Sequence, residues 1–454
     1  MLSQGYYGTD WTALMAGTVL SKEQSPLTEQ TPAFAGTHGS AADDLTLNAA
    51  DRAILRRLAA QVAELAARPS EQEKRDLWYR HNALEATRPV VFCDPENGWD
   101  EIITAKQLEC TSKLARGWEM RLRKEIFWGA QMRDDRVIEA FFDVPHVYTE
   151  SDWGMHETRI GGEHGNAYTW DAPLKSYADM DRLRFPKIAV DAAASARLLD
   201  LAQEAVGDLL TVRQKTAWWW TLGMTWTLVN LRGLQQMMMD MMDYPAELHR
   251  VMAFLRDGTL ARLDYLAEQG LLSLNNDGAY VGSGGFGWTH ELPAADFQGR
   301  VRPCDMWGFA ESQETVLVSP DMFAEFVLQY QMPILERFGL NCYGCCEPLD
   351  KRWRFVKRIP RLRRVSVSAW ANVRTMAENL GPNYIFSWKP APSDLALPSF
   401  DEEHLRKGLR EALRITHECN CRVEVIMKDN NTIRNDPRRV VRWVELVREE
   451  SARL

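Results

Sequence analysis

Eight short apolar runs, separated by segments of helical periodicity, constrain this chain more than any other feature. They occupy residues 90–94, 137–143, 209–215, 271–277, 340–346, 365–370, 384–389 and 423–429. Strand and helix alternating in this way argue for a parallel sheet covered by helices, and eight such units predict a closed (β/α)8 barrel, an α/β fold. Three intervening helices carry clear start signals. Ser319-Pro320 offers a cap and then a residue whose missing N–H is harmless in the first turn, and Phe323, Phe326, Val327 and Tyr330 follow on one face. Asp243 and Asp436-Pro437 are expected to open two more.

The barrel is expected to span 88–454 and to follow an N-terminal extension, 1–87. In that extension, 21–48 is rich in Ser, Thr, Pro, Gly and Ala and has no apolar period, so it reads as a linker. The helix after it places Ile54, Leu58, Val62 and Leu65 at helical spacing.

Most of the strand-like runs end in titratable or reactive side chains: Asp94, Asp143, Lys215, Asp277, the group Cys345-Cys346-Glu347, Lys389 and Asp429. In a barrel these ends converge on one mouth, where catalytic groups sit. That convergence is the main sequence argument for an enzyme with a small-molecule substrate. The plainer reading is that polar residues end any buried strand.

The formal net charge of -9 gives nucleic-acid binding no electrostatic support. The first twenty residues lack a basic segment followed by an apolar core, and no stretch has the length of a membrane span, so a cytoplasmic protein is expected. Eight cysteines in 454 residues are not a disulfide framework. Their clustering is more informative, with Cys342, Cys345 and Cys346 together and Cys419 beside Cys421. Cys345, Cys346 and Glu347 are the candidate metal ligands, zinc being the natural match for thiolates. Alternation along a strand would aim the adjacent cysteines to opposite faces unless the strand has already ended.

Between 277 and 291 lies a glycine-rich stretch, DGAYVGSGGFGWTHE. No helix signal follows it at once, so a phosphate cradle is ruled out. A lid carrying His290 to the substrate is the functional reading, and a plain loop with a solvated histidine the bland one. His164 lies in another glycine-rich loop. Trp307, Gln313, Tyr343, Glu291 and Asp277 are expected to line the substrate, and Asp143, Lys389, Asp429 and His290 to carry proton transfer or anion binding. The Trp218-Trp219-Trp220 run lines a pocket or packs beneath a helix.

Four segments taken together resemble the uroporphyrinogen decarboxylase-like superfamily: VSPDMF at 318–323, the Asp243-Tyr244-Pro245 helix start, YIFSWKPAPS at 384–393 and Asn435-Asp436-Pro437 before the last helix. YGCCEPLD, SAWAN and IMKDNNT look like a bacterial subgroup of it. The resemblance implies a (β/α)8 barrel that often pairs as a homodimer. Porphyrinogen decarboxylases carry an arginine-rich segment after the first strand, whereas this chain has the acidic CDPENGW at 93–99. The other branch implies a zinc-dependent methyltransferase that works with a corrinoid carried by a partner protein. Its His-x-Cys-Gly motif is replaced here by Tyr343-Gly344-Cys345-Cys346, and its last-strand cysteine by Lys428-Asp429.

Methyl transfer from a small methylated substrate, assisted by metal at Cys345 and Cys346, is therefore the leading expectation. The alternatives are a cofactor-free decarboxylase or lyase, in which Asp143 or Asp429 protonates a carbanion held by Lys389 and His290, and a non-catalytic ligand-binding barrel.

Overall fold

The computed structural model describes residues 45–161 and 168–454. Most of the expected linker at 21–48, and His164, lie outside the described residues.

Two helices lead in, α1 (Ala49–Ala66) and α2 (Pro69–Asn82). Asn48 caps α1 by accepting the Asp51 amide, and Leu55, Leu58, Val62 and Leu65 form its buried stripe. The parallel strands follow in chain order: β1 (Val90–Cys93), β2 (Phe141–Val144), β3 (Thr211–Gln214), β4 (Trp307–Ala310), β5 (Leu340–Tyr343), β6 (Leu362–Val367), β7 (Ile385–Trp388) and β8 (Arg422–Met427). Helices α3 (Lys113–Phe127), α4 (Ala192–Val206), α5 (Pro245–Glu268), α6 (Val373–Leu380), α7 (Glu402–Glu418) and α8 (Arg438–Ser451) lie between and after them. Ser319 accepts the Met322 amide as expected, whereas Asp243 ends one helix and Tyr244 precedes α5. Among the described residues no helix is long and apolar enough to cross a membrane.

Six strands make one parallel sheet in the order β1-β8-β7-β6-β5-β4, while β2 and β3 pair with each other. This arrangement is compatible with the expected barrel, but among the described residues no backbone ladder closes it. Side chains stand in at both seams. Next to β1, Asp134 accepts the Cys93 amide at 2.9 Å and Asp135 the Val91 amide at 2.8 Å. Next to β4, the Asn275 amide both donates to the Trp307 carbonyl (3.0 Å) and accepts from its N–H (2.9 Å). Carboxylate and amide groups thereby satisfy backbone that a neighbouring strand would otherwise pair.

That second seam corrects an expectation: residues 271–277 form no strand, and the fourth strand is Trp307–Ala310. Asn275 and Asn276 spend their side chains on backbone groups of Trp307 and Leu292, the local competition that draws a polar segment away from a ladder.

The glycine-rich stretch is not a lid. Residues 281–289 are buried and contain a hairpin, Tyr280–Val281 against Gly285–Phe286. At one end Asn82 of α2 holds the Phe286 and Trp288 carbonyls at 3.0 and 2.7 Å, and at the other Ser283 reaches Cys345. A Cβ on Gly285 would lie 2.3 Å from the Arg364 guanidinium carbon, so only glycine permits this approach. The hairpin packs on a buried ionic group in which Arg364 bonds Glu424 (2.9 Å) and Asn82 (2.7 Å), and His81 meets Glu424 at 3.2 Å. Burial pushes the His81 pKa down; Glu424, although burial acts to raise it, is held well below the usual carboxylate range by Arg364 and His81. Helix α2 is thus built into the interior that the sequence assigned to the barrel alone.

Candidate active site

The C-terminal end of β5 positions two thiols. Gly344 has φ +91°, and a Cβ there would fall 2.6 Å from the Leu349 side chain, so the chain turns sharply where β5 ends. Beyond the turn the strand's alternation no longer applies, and the Cys345 and Cys346 sulfurs lie 3.6 Å apart. Cys345 is 3% exposed and receives the Ser283 hydroxyl on its sulfur at 3.2 Å. Cys346 is exposed, 3.7 Å from Asp429 Oδ2. The hydrogen bond from Cys346 lowers the Cys345 pKa against its burial, and Lys428 adds to the effect. The same hydrogen bond, with burial, raises Cys346 in turn. Of the two sulfurs, the buried one is therefore the more readily ionised.

An acid–base group lies beside it. Lys428 Nζ sits 2.8 Å from Asp429 Oδ1 and 3.3 Å from Glu96 Oε1. Burial acts to lower the Lys428 pKa, but Tyr280, Cys345, Glu96 and Asp429 outweigh it and hold the ammonium well above its usual range. Burial, with Asp429 and Asp94 adding to it against the pull of Lys428, pushes Glu96 up to about 7. Lys389 is buried with its amine on Ser387 Oγ at 2.7 Å, and burial pushes it down to about 8. A buried thiol of lowered pKa, a fixed cation and an acid pushed up to about 7 thus share the end of the parallel sheet.

The residues expected from sequence do not all come together. Cys345, Cys346 and Asp429 come together as described, and Lys389 lies buried on Ser387, near enough to Cys345 to feel its charge. Asp143 and Asp277 instead belong to an ion-pair network with Arg213 (2.6 and 3.3 Å) and Lys215 (2.7 Å from Asp277), on the β2–β3 side. Trp307 donates its indole N–H to the Gly287 carbonyl at 3.0 Å and borders a cavity that Asp143, Arg213 and Lys215 also line. His290 and Glu291 lie next to α2 and the start of β6: His290 stacks on Tyr79 at 4.0 Å, and Glu291 pairs with Arg363 at 2.6 Å. Neither is at the mouth, because the buried hairpin holds its two ends apart. Tyr343 is core, its hydroxyl 2.8 Å from Gln331. Gln313 is partly exposed beside Glu311, whose carboxylate takes its amide at 2.9 Å.

No family model matches this chain, and no curated protein does. Among solved structures, a methyltransferase from Methanosarcina mazei is similar at 12% identity and a TM-score of 0.46, over 83% of this chain and 97% of that one. A likeness this shallow leaves the chemistry to be read from the site itself.

The donor set does not complete the expected zinc site. The two sulfurs have a spacing that two thiolates on one zinc can adopt, given zinc–sulfur bonds of about 2.3 Å. Glu347, however, is turned inward: its oxygens accept the Ser312 amide at 2.8 Å and the Cys345 amide at 2.9 Å, and it is 1% exposed. Among the described residues no group of three or more His, Cys, Asp or Glu side chains is placed to hold a metal ion.

Glu96 and Ser283 join this candidate site without having been singled out from the sequence, and Lys428 was marked only as the strand-end neighbour of Asp429. Lys428 and Glu96 stand next to strand ends in segments already marked by their charge, so position after a strand was a usable signal. Ser283 carried none, since only the hairpin's depth brings it to Cys345.

Proposed function

We propose that this chain is an enzyme that moves a methyl group from a small methylated substrate by way of the Cys345 thiolate. The observation that supports the reading is the Cys345 sulfur itself, buried at the end of β5 with Ser283 donating to it, the Cys346 sulfur 3.6 Å away and Lys428 nearby. Displacement at a methyl carbon calls for a soft, partly desolvated nucleophile and a leaving group that can accept an electron pair. The sulfur–carbon bond forms as the carbon–heteroatom bond breaks, and the pair goes to the heteroatom. Glu96, half protonated near neutrality, can hand its proton to that atom. Lys428 stabilises the thiolate before attack and the Glu96 carboxylate after it.

The acceptor that takes the methyl group from Cys345 lies outside this chain. A corrinoid carried by a partner protein is the acceptor that the sequence resemblance implies, and another thiol would serve the same chemistry. The lyase reading has less support, because Asp143, His290 and Lys389 occupy three separate places, on Arg213, Tyr79 and Ser387 respectively.

The test is incubation with a panel of methylated amines, thioethers and methoxyarenes, followed by peptide mass spectrometry. The expected result is one added methyl group on the peptide holding Cys345, absent in Cys345→Ser. Demethylated product formed by Cys345→Ser at the wild-type rate would sink the proposal.

A further inference from the structure

A cavity of about 260 Å³ lies between the β2–β3 pair and β4, apart from the thiol group. One side of it is aromatic: Trp218, Trp307 and Phe309 are buried there, and Trp220 packs on Phe309 with ring centroids 5.6 Å apart. The other side is ionic, and most of its charges are already matched. Arg213 and Lys215 are taken by Asp143 and Asp277, and Arg136 by Glu125 at 2.5 Å.

Among the cations Arg121 is the exception. From α3 its guanidinium donates to the main-chain carbonyl of Asp143 and stacks 4.7 Å from the Phe142 ring. Among the described residues no carboxylate lies within ion-pair distance of it. Burial pushes its pKa down, the direction expected of a cation taken out of water without a full counter-charge. An arginine left half-satisfied on the wall of an aromatic cavity fits a ligand carboxylate, which accepts two parallel N–H bonds from a guanidinium.

We infer that this cavity binds a small aromatic monocarboxylate, its carboxylate on Arg121 and its ring against Trp218, Trp220, Trp307 and Phe309. One carboxylate is the limit, since the other cations are occupied and Glu139 and Asp143 would repel a second. Size points the same way. The cavity is just below the roughly 300–1,000 Å³ of drug-sized pockets, which favours a molecule of benzoate or phenylacetate size over a nucleotide cofactor. The inference rests on this cavity and is independent of the thiol chemistry proposed above.

Calorimetric titration of the full chain with benzoate, phenylacetate and the neutral isostere benzamide tests it. Saturable binding of benzoate or phenylacetate is expected, with benzamide weaker. Arg121→Gln should weaken the carboxylates at least about tenfold, or about 1.4 kcal/mol, and leave benzamide unchanged, while Arg121→Lys should retain most of the affinity. Should Arg121→Gln fail to fold, Ala279→Phe decides, because it fills the cavity and should abolish binding. Carboxylate affinity equal in wild type and Arg121→Gln, affinity unaffected by Ala279→Phe, or no saturation by either acid would overturn the inference.

Discussion

Glu96 and Asp429 meet just past the paired ends of β1 and β8, both with left-handed main chains (φ 49° and 61°), the Asp429 N–H donating to the Glu96 carboxylate at 3.1 Å. A non-glycine residue in this conformation costs on the order of 1 kcal/mol. Two of them side by side, at the ends of strands in register at Cys93 and Met427, keep two carboxylates around Lys428. Strain concentrated there motivates the first prediction.

Lys428→Gln removes the cation that lowers both Cys345 and Glu96. Both should then titrate at higher pH, since a cation favours the charged form of each acid. Ultraviolet titration of the thiolate should show the upward move, and methyl transfer at neutral pH should fall by about 10²-fold. A thiolate titration identical to wild type would show that Lys428 does not act on the sulfur.

Cys346→Ala deletes the hydrogen bond that is the leading cause of the lowered Cys345 pKa. Cys345 should titrate higher, and its alkylation by iodoacetamide near neutral pH should slow despite the more open site. Faster alkylation with no change in titration would mean that Cys346 only shields its neighbour.

Glu139 has no hydrogen-bond or ion-pair partner among the described residues, and burial, with Asp277 nearby, pushes it up to about 7. Its folded pKa lies above the unfolded value, so its stabilising contribution is complete below about pH 4 and is lost as pH rises through about 7. Glu139→Gln should flatten the fall in urea midpoint between pH 5 and 8, by an amount bounded at about 1.4 kcal/mol per pH unit separating the two titrations. Asp134, raised to about 7 by burial, shares the window and keeps the slope from vanishing. Parallel urea profiles for variant and wild type would contradict the assignment.

Gly285→Ala places a methyl group 2.3 Å from the Arg364 guanidinium carbon, against a residue fixed by Glu424 and Asn82. Destabilisation of about 1–3 kcal/mol is expected from such overpacking. Chemical denaturation measures it, and a neutral result would imply that the hairpin can withdraw from the interior.

His290→Ala should leave both kcat and KM unchanged, since His290 stacks on Tyr79 away from the thiols. A drop in kcat of more than about tenfold, about 1.4 kcal/mol in the barrier, would restore a catalytic role to this histidine.

The sequence by itself determined an α/β fold with parallel strands, most of the strand positions and the place of Cys345, Cys346, Lys389 and Asp429 just past strand ends. It could do so because strand periodicity is local and because residues just past parallel strands share one end of the sheet. It could not tell that 271–277 would run beside β4 without joining its ladder, since that depends on where the Asn275 amide finds backbone to bond. Nor could it tell a solvated glycine loop from one threaded through the interior: glycine permits both, and only Asn82, Arg364 and Cys345, distant in sequence, decide between them. His290 and Glu291 were misplaced by that one choice. Glu347 read as a ligand because it follows two cysteines, yet both its oxygens are spent on amides. Charge and spacing are written along the chain, whereas hydrogen-bond partners and burial arise only when separate elements pack.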